Sequence, residues 1–528
     1  MILICLCVHA SAYADYFTNI SKQSGVVFEH NNGNSNQFYY PEIVGSGVAL
    51  FDYDNDGDLD IYLVQSGDFK NNQSTDKLYT NSVSNTKELN FKEIKFNFLK
   101  KTNEYGIGVA TADVNHDGWV DFYLTNLNQN QLYINNQGKG FSQLKINESL
   151  HLWSSSASFC DINNDGYKDL YVSNYVDWSE SNNPKCYNGS SKRDYCGPGS
   201  FNGAKDSFYI NDTGKSFRES TQKYFPKMPN MAGLNVVCND VNNDGYNDFI
   251  VANDGQANLV WINQKGQSFK ESGLFSGLAV NAQGVAEASM GLALSDYDLD
   301  GDLDVFFTHL MNESNTLYRN NGKGYFSDVT NRSKLSAESF AFTGWATGFL
   351  MVNNDIYPDL VVFNGAVADA SQKQSEEPSL EQANQLFLNA KSGQFTHVEG
   401  EQWLLEKNIS RGAAFGDIDN DGDTDIVVNN NNGNPDILIN NLNPEKWMGI
   451  KIHDDLYRNL TLEIYNDELK MKLNNTTDGA YASAHDDRIV LNQAQLEQFS
   501  KMRISHQKKV LLELPLKQNN QYKTIQLK

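Results

Sequence analysis

The sequence predicts an all-β chain in which seven four-stranded units form a propeller, closed by a strand from the N-terminus and followed by a small C-terminal β domain. Three observations lead there. An acidic nine-residue pattern, Asp-x-Asp/Asn-x-Asp-Gly-x-x-Asp, recurs about every 61 residues, a spacing that suits one propeller blade with variable loops. Each copy lies between a small-residue strand and a β-branched or aromatic strand. The last copy lacks a fourth strand, and the N-terminus carries an isolated segment that would supply it.

In chain order, residues 1–14 (MILICLCVHASAYA) read as a secretory signal peptide: Ile2 to Val8 is a short apolar core, and Ala12-Tyr13-Ala14 fits a small-x-small cleavage site. The apolar run is too short to span a bilayer, and no later segment supplies a span. Residues 15–442 are then the propeller. Phe17-Thr18-Asn19-Ile20 matches FSDV at Phe326 and FTHV at Phe395, the fourth strands of later units, and has no first three strands of its own. Joining it to the last unit would protect the two edges that an open array exposes.

The acidic loops begin at Asp52, Asp113, Asp161, Asp240, Asp296, Met351 and Asp417. Upstream of four of them the chain reads Gly-x-Ala-x-x-Asp, from Gly47, Gly108, Gly291 and Gly412, a tight small-residue strand. Downstream come near-continuous apolar runs such as DIYLV from Asp60 and DFIVA from Asp248, the pattern of strands buried on both faces. A third strand then ends in Asn, a Gly turn follows, and Phe opens the fourth, as in LYINNQGKGFSQL from Leu132 and LYRNNGKGYFSDV from Leu317. Strand alternation places the acidic loops and Gly turns on one face. The longer insertions, about residues 175 to 206 and 365 to 382, fall on the other. Cys186 and Cys196, inside the first insertion, are expected to form a local disulfide. Cys160 and Cys238 read as buried small apolar residues.

Calcium takes about six to eight oxygen ligands and tolerates irregular geometry. The loop supplies side-chain oxygens at positions 1, 3, 5 and 9, a main-chain carbonyl at 7, and glycine at the sharp turn. The predicted ligands are Asp52, Asp54, Asp56 and Asp60; Asp113, Asn115, Asp117 and Asp121; Asp161, Asn163, Asp165 and Asp169; Asp240, Asn242, Asp244 and Asp248; Asp296, Asp298, Asp300 and Asp304; and Asp417, Asp419, Asp421 and Asp425. The loop at Met351 lacks the first carboxylate, has Ile356 in place of glycine, and is expected to hold no metal. An EF-hand would need Glu at position 12 and flanking helices. That position is Leu63, Leu124, Val172, Val251, Phe307 or Val428. Turn preference alone favours Asp, Asn and Gly, but it does not produce six copies in one register. About six structural calcium ions are therefore expected. They would offset half of the formal net charge of −24 and relieve repulsion among crowded carboxylates.

The same charge, with no Lys or Arg cluster, argues against nucleic-acid binding through a basic surface. No HExxH, CxxC, GxSxG, P-loop or dinucleotide fingerprint occurs. His116 stands at loop position 4, read as pointing outward, and His151, His309 and His397 are scattered over different units. No catalytic residue is assigned, and the chain is not expected to be an enzyme.

The stretch GVALFDYDNDGDLDIYL and its copies resemble the FG-GAP/VCBS repeats of integrin α-chain and bacterial propellers. The opening FTNISKQSGVVFEH, the segment YCGPGSFNGAKDSFYIND from Tyr195 and the segment beginning WMGIKI at Trp447 are similar to the ASPIC/UnbV family, which includes cartilage acidic protein. The resemblance implies a calcium-binding seven-bladed propeller followed by a small β domain, here residues 443–528, with a role in interaction or adhesion. Strand-like runs in that domain begin at Ile450, Leu460, Glu468, Lys509 and Tyr522, and DGAYAS from Asp478 resembles the family's central turn. Where a Gly-rich segment usually follows, the chain reads IVLNQAQ from Ile489, and the tryptophan of the later WPxG-like motif is absent.

The expected function is an exported, monomeric, calcium-stabilised interaction module, secreted or periplasmic, with an extracellular or envelope protein as partner. The insertion-bearing face would be its contact surface, the acidic loops its scaffold. A carbohydrate-binding propeller is the alternative, and an envelope or secondary-metabolism enzyme a third reading.

Overall fold

The computed structural model describes residues 15–69, 75–95, 104–146, 152–189, 191–368, 379–391, 393–454, 456 and 458–528. The predicted signal peptide, His151 and residues 369–378 of the second insertion lie outside them. Among the described residues, no helix is long and apolar enough to cross a membrane.

Each acidic loop closes an antiparallel hairpin. In the first unit Val48–Phe51 pairs with Asp60–Leu63, Phe51 opposite Asp60, and Lys77–Thr80 and Lys92–Ile94 complete a four-stranded meander. The sheets that begin at Gly233, Leu292 and Gly344 repeat that order. Two further sets of four, beginning at Tyr105 and Leu152, are joined into one sheet where Leu152 and Trp153 pair with Asn128 and Leu127. In the last unit Ser410–Gly416, Asp425–Asn430 and Asp436–Asn440 take Phe17–Asn19 as fourth strand, with Phe17 opposite Asn440.

The first strands of successive units contact one another in turn, and Ser410–Gly416 also touches Val48–Phe51. Glycine permits this approach. A Cβ on Gly47 would lie 2.8 Å from the Cα of Gly108, and one on Gly412 would lie 3.0 Å from the Cα of Gly47. Val48, Leu50, Ile61 and Leu63 are fully buried, as apolar runs covered on both faces require.

The C-terminal unit has two sheets. Met448–Asp454 lies between Ile489–Leu491 and, in parallel, Tyr522–Leu527. The other sheet runs Lys470–Leu473, Thr461–Tyr465, Lys501–His506, Lys509–Pro515. The segment IVLNQAQ is a strand followed by the helix Gln493–Gln498, started by a capping box between Asn492 and Gln495.

This unit packs on the acidic-loop face. Residues 478–486 leave it and run among the first strands of the array. The amides of Leu292 and Val109 donate to the carbonyls of Ala480 (2.8 Å) and Ala482 (3.1 Å), and the Ala484 amide donates to Val48 O (3.0 Å). Tyr481 donates its hydroxyl to Val44 O at 2.9 Å and sets its ring edge-on to Trp345. Ala480 and Ala482 adopt φ of 48° and 51°, a region L-residues rarely visit, held there by these contacts.

Cys186 and Cys196 are disulfide-bonded. Cys160 and Cys238 are not free apolar residues but a second disulfide, with Cα atoms 6.1 Å apart. They stand near the ends of Leu152–Cys160 and Gly233–Asn239, first strands of neighbouring units, so stacking the units brings them together.

Candidate metal centre

The backbone of the acidic loop follows from its residues. Position 6 is glycine at φ of 83° to 101°, and position 4 takes the left-handed region at 57° to 62°, where Asn is tolerated best. Asn occupies position 4 in four intact loops; His116 and Leu299 occupy it in the other two. His116 does not point outward as expected: it stacks on Tyr167 of the next loop, ring centroids 4.0 Å apart. In every intact loop the position-1 carboxylate accepts the amides of positions 5 and 6, as Asp52 does from Asp56 and Gly57, both at 3.1 Å.

Position 9 has a second task that the sequence pattern did not disclose. Asp60 accepts the Tyr53 amide on one oxygen and the Asn81 amide on the other, both at 2.9 Å. The same pair of bonds recurs at Asp121, Asp169, Asp248 and Asp425. The Asn that ends each third strand then donates its side-chain amide to the acidic loop of the preceding unit: Asn135 to Tyr53 O, Asn211 to Val114 O, Asn263 to Ile162 O, Asn320 to Val241 O, Asn389 to Tyr297 O and Asn440 to Met351 O, at 2.8 to 3.0 Å. Asn81 donates to Ile418 O of the last unit at 2.8 Å. The recurring terminal Asn was visible in the sequence, but its partner lies one unit away.

Carboxylate oxygens from three loops come within 4.8 Å of one another: Asp52, Asp54 and Asp60; Asp296, Asp298 and Asp300; Asp417, Asp419 and Asp425. These are the loops with Asp at position 3. There Asp54 Oδ1, Asp298 Oδ1 and Asp419 Oδ1 are buried without a hydrogen-bond donor, as are Asp304 Oδ2 and Asp423 Oδ1. Buried acceptors without donors are costly, and an all-oxygen set of this kind suits a hard divalent cation. In the loops at Asp113, Asp161 and Asp240 the position-3 Asn instead accepts the position-5 amide at 2.9 to 3.0 Å. Asn115 and Asn163 also donate to the position-5 carboxylate. Burial, reinforced by neighbouring carboxylates, pushes the Asp296 carboxyl up to about 8, and burial pushes Asp417 up to about 7.

The loop at Met351 has become an apolar contact. Met351, Ile356 and Tyr357, with Leu299 from the preceding loop, pack against Ile450, Leu462 and Leu491 of the C-terminal unit. Asp359 keeps the position-9 bonds, from Val352 and Asn389.

On the opposite face Tyr40–Ile43 is buried beneath the first insertion, with Tyr40 stacked on Phe201. Above it Arg193 lies 5.3 Å over the Phe38 ring, Phe38 meets Tyr195 edge-on, and Tyr187 is 60 % exposed.

The pattern described as FG-GAP-like repeat matches residues 52–124, 113–172, 240–307, 296–362 and 352–428. No curated protein matches the chain. Among solved structures, an Agrocybe aegerita lectin that recognises non-reducing terminal N-acetylglucosamine is 15% identical, covering 69% of this chain and 82% of its own, with a TM-score of 0.41. YCF48 bound to D1 peptide is 8% identical, covering 80% and 95%, with a TM-score of 0.43.

Proposed function

Because the chain belongs to the FG-GAP-like repeat family, we propose that it is a seven-bladed, ring-closed, calcium-stabilised propeller, exported from the cytoplasm, that acts as a monomeric protein-interaction module rather than an enzyme. Closure is supported by the pairing of Phe17–Asn19 with Asp436–Asn440 and by the Asn81 clasp on the last unit. Metal binding is supported by the donorless oxygens in the three Asp-rich loops. The similarity of the two ends to ASPIC/UnbV proteins, together with two disulfides, favours a secreted or periplasmic setting.

One observation carries the choice of contact surface: among the described residues the C-terminal unit packs on the loop face, while the insertion face keeps exposed aromatic surface. Its exposed Tyr187 and the Arg193–Phe38 stack are residue types enriched at protein interfaces. The test is capture from envelope extracts alongside a glycan array, with wild type and Tyr187→Ala. Retention of a defined protein by wild type, lost in the variant, is expected. Sugar binding with no protein retained would replace this reading with a carbohydrate-binding propeller.

A further inference from the structure

We propose that docking of the C-terminal unit and cation occupancy of the loops at Asp296 and Asp417 form one linked equilibrium: the unit completes the surroundings of these two sites, and an ion in them holds the unit down. The inference rests on the reading that the loops bind a divalent cation.

In the fifth loop Asp296 Oδ2 accepts the Gly301 amide at 2.9 Å and also the Lys472 amide, from the C-terminal strand Lys470–Leu473, at 2.8 Å. In the seventh loop Asp417 Oδ2 accepts the Gly422 amide at 3.1 Å and the Tyr522 hydroxyl at 2.8 Å. Tyr522 is held in place by Arg488, whose guanidinium lies 4.0 Å over its ring, pairs with Asp486 at 2.8 Å and donates to Asp417 O at 2.9 Å. Among the described residues, the hydrogen bonds to the position-1 carboxylates of the loops at Asp113, Asp161 and Asp240 come from the loops themselves.

The same two loops hold unspent acceptors. Asp304, fully buried, has no donor to Oδ2, and Asp423, 3 % exposed, has none to Oδ1. Between the two lies the apolar sixth loop, so the C-terminal unit is seated on a hydrophobic centre flanked by two candidate ion sites. Donors that fix the free lone pair of a ligand carboxylate orient it and raise metal affinity. By reciprocity, the ion strengthens the contacts those donors make.

The experiment uses the full chain with a protease site introduced at the exposed Glu445-Lys446 linker. The chain is cut after folding and passed over gel filtration in calcium or in chelator. Hydrogen exchange of Lys470–Leu473 and Tyr522–Leu527 and equilibrium dialysis of calcium are measured on the same material. Calcium should slow both release and exchange at least tenfold. Tyr522→Phe should lower the affinity of one site about tenfold and hasten both processes. Tyr465→Phe, whose hydroxyl contacts Glu513 on the outer sheet, should change neither. Calcium bound, with release and exchange indifferent to chelator and to Tyr522→Phe, overturns the linkage. No calcium bound at all overturns the metal reading instead.

Discussion

The loops at Asp52, Asp296 and Asp417 and those at Asp113, Asp161 and Asp240 share one backbone and differ at positions 3 and 7: Asp at both in the first group, Asn at 3 and Trp or Tyr at 7 in the second. An Asn brings its own donor. In the second group its carbonyl accepts the position-5 amide, and Asn115 and Asn163 also turn their donor onto the position-5 carboxylate. An Asp adds a charge and leaves a buried oxygen with no proton to accept. Near-identical turns therefore differ in how far their own donors satisfy them, and it is in the Asp loops that removing a cation is expected to cost more.

The largest effect that could break this comparison is metal removal. Free calcium at 100 times the dissociation constant adds about 2.7 kcal/mol per site, roughly 8 kcal/mol over three strong sites. The unfolding midpoint should fall sharply in chelator. A chain carrying Asp54→Asn, Asp298→Asn and Asp419→Asn should lose most of that response, whereas Asn115→Ala, Asn163→Ala and Asn242→Ala together should keep most of it. Equal losses from the two sets would erase the distinction.

An intermediate effect is the pH dependence of the metal-free chain. The Asp296 and Asp417 carboxyls are raised to about 8 and about 7 from 3.8, chiefly by burial, so between roughly pH 4 and 8 the folded state holds more protons than the unfolded one. Their contribution is greatest at the acid end and is lost as pH rises through 7 to 8. Melts in chelator should therefore improve on acidification from pH 8 to 5. Melts in calcium should worsen, because protons then compete with the ion. A chelated chain whose midpoint fails to rise on acidification would show that these carboxyls are not crowded as described.

How much of this the sequence disclosed depended on how local the chemistry is. The acidic loop, the Gly turn, the Cys186–Cys196 bridge and the strand at Phe17 are set by residues within one unit, or by a unit with a part missing, and a period makes them visible. The Cys160–Cys238 bridge and the Asn clasps join different units, so they depend on how blades stack, which no single repeat records. The run at Asp478–Asp486 reads as a turn by its resemblance to a family's central turn, and nothing in it names the strands it runs among. The structure shows how close it runs to them: Ala482 O lies 2.1 Å from where a Cβ on Gly47 would be. Against the metal-site pattern the Met351 loop shows only losses, the first carboxylate and the glycine. Its apolar replacements make sense only once the C-terminal core is beside them. Lys501–His506 is an inner strand of its sheet that the sequence reading leaves out, although Met502 and Ile504 alternate with Lys501 and Arg503 as in a half-buried strand.

The smallest effect separates fold from metal inside the motif itself. Asp359 keeps both position-9 hydrogen bonds, from Val352 at 3.2 Å and Asn389 at 2.8 Å, although its loop has lost the position-1 carboxylate. If position 9 existed only to bind an ion, nothing would hold that residue in place here. Asp359→Asn would turn an amide group toward one of two buried backbone donors, at a cost of about 1–3 kcal/mol. That loss should be the same in calcium and in chelator. At Asp425, whose carboxylate makes the same two bonds and also joins the Asp417 cluster, the Asn substitution should cost more in calcium than in chelator. The difference between the two variants then measures the ion's share of position 9, and a difference of zero would leave that aspartate to the fold alone.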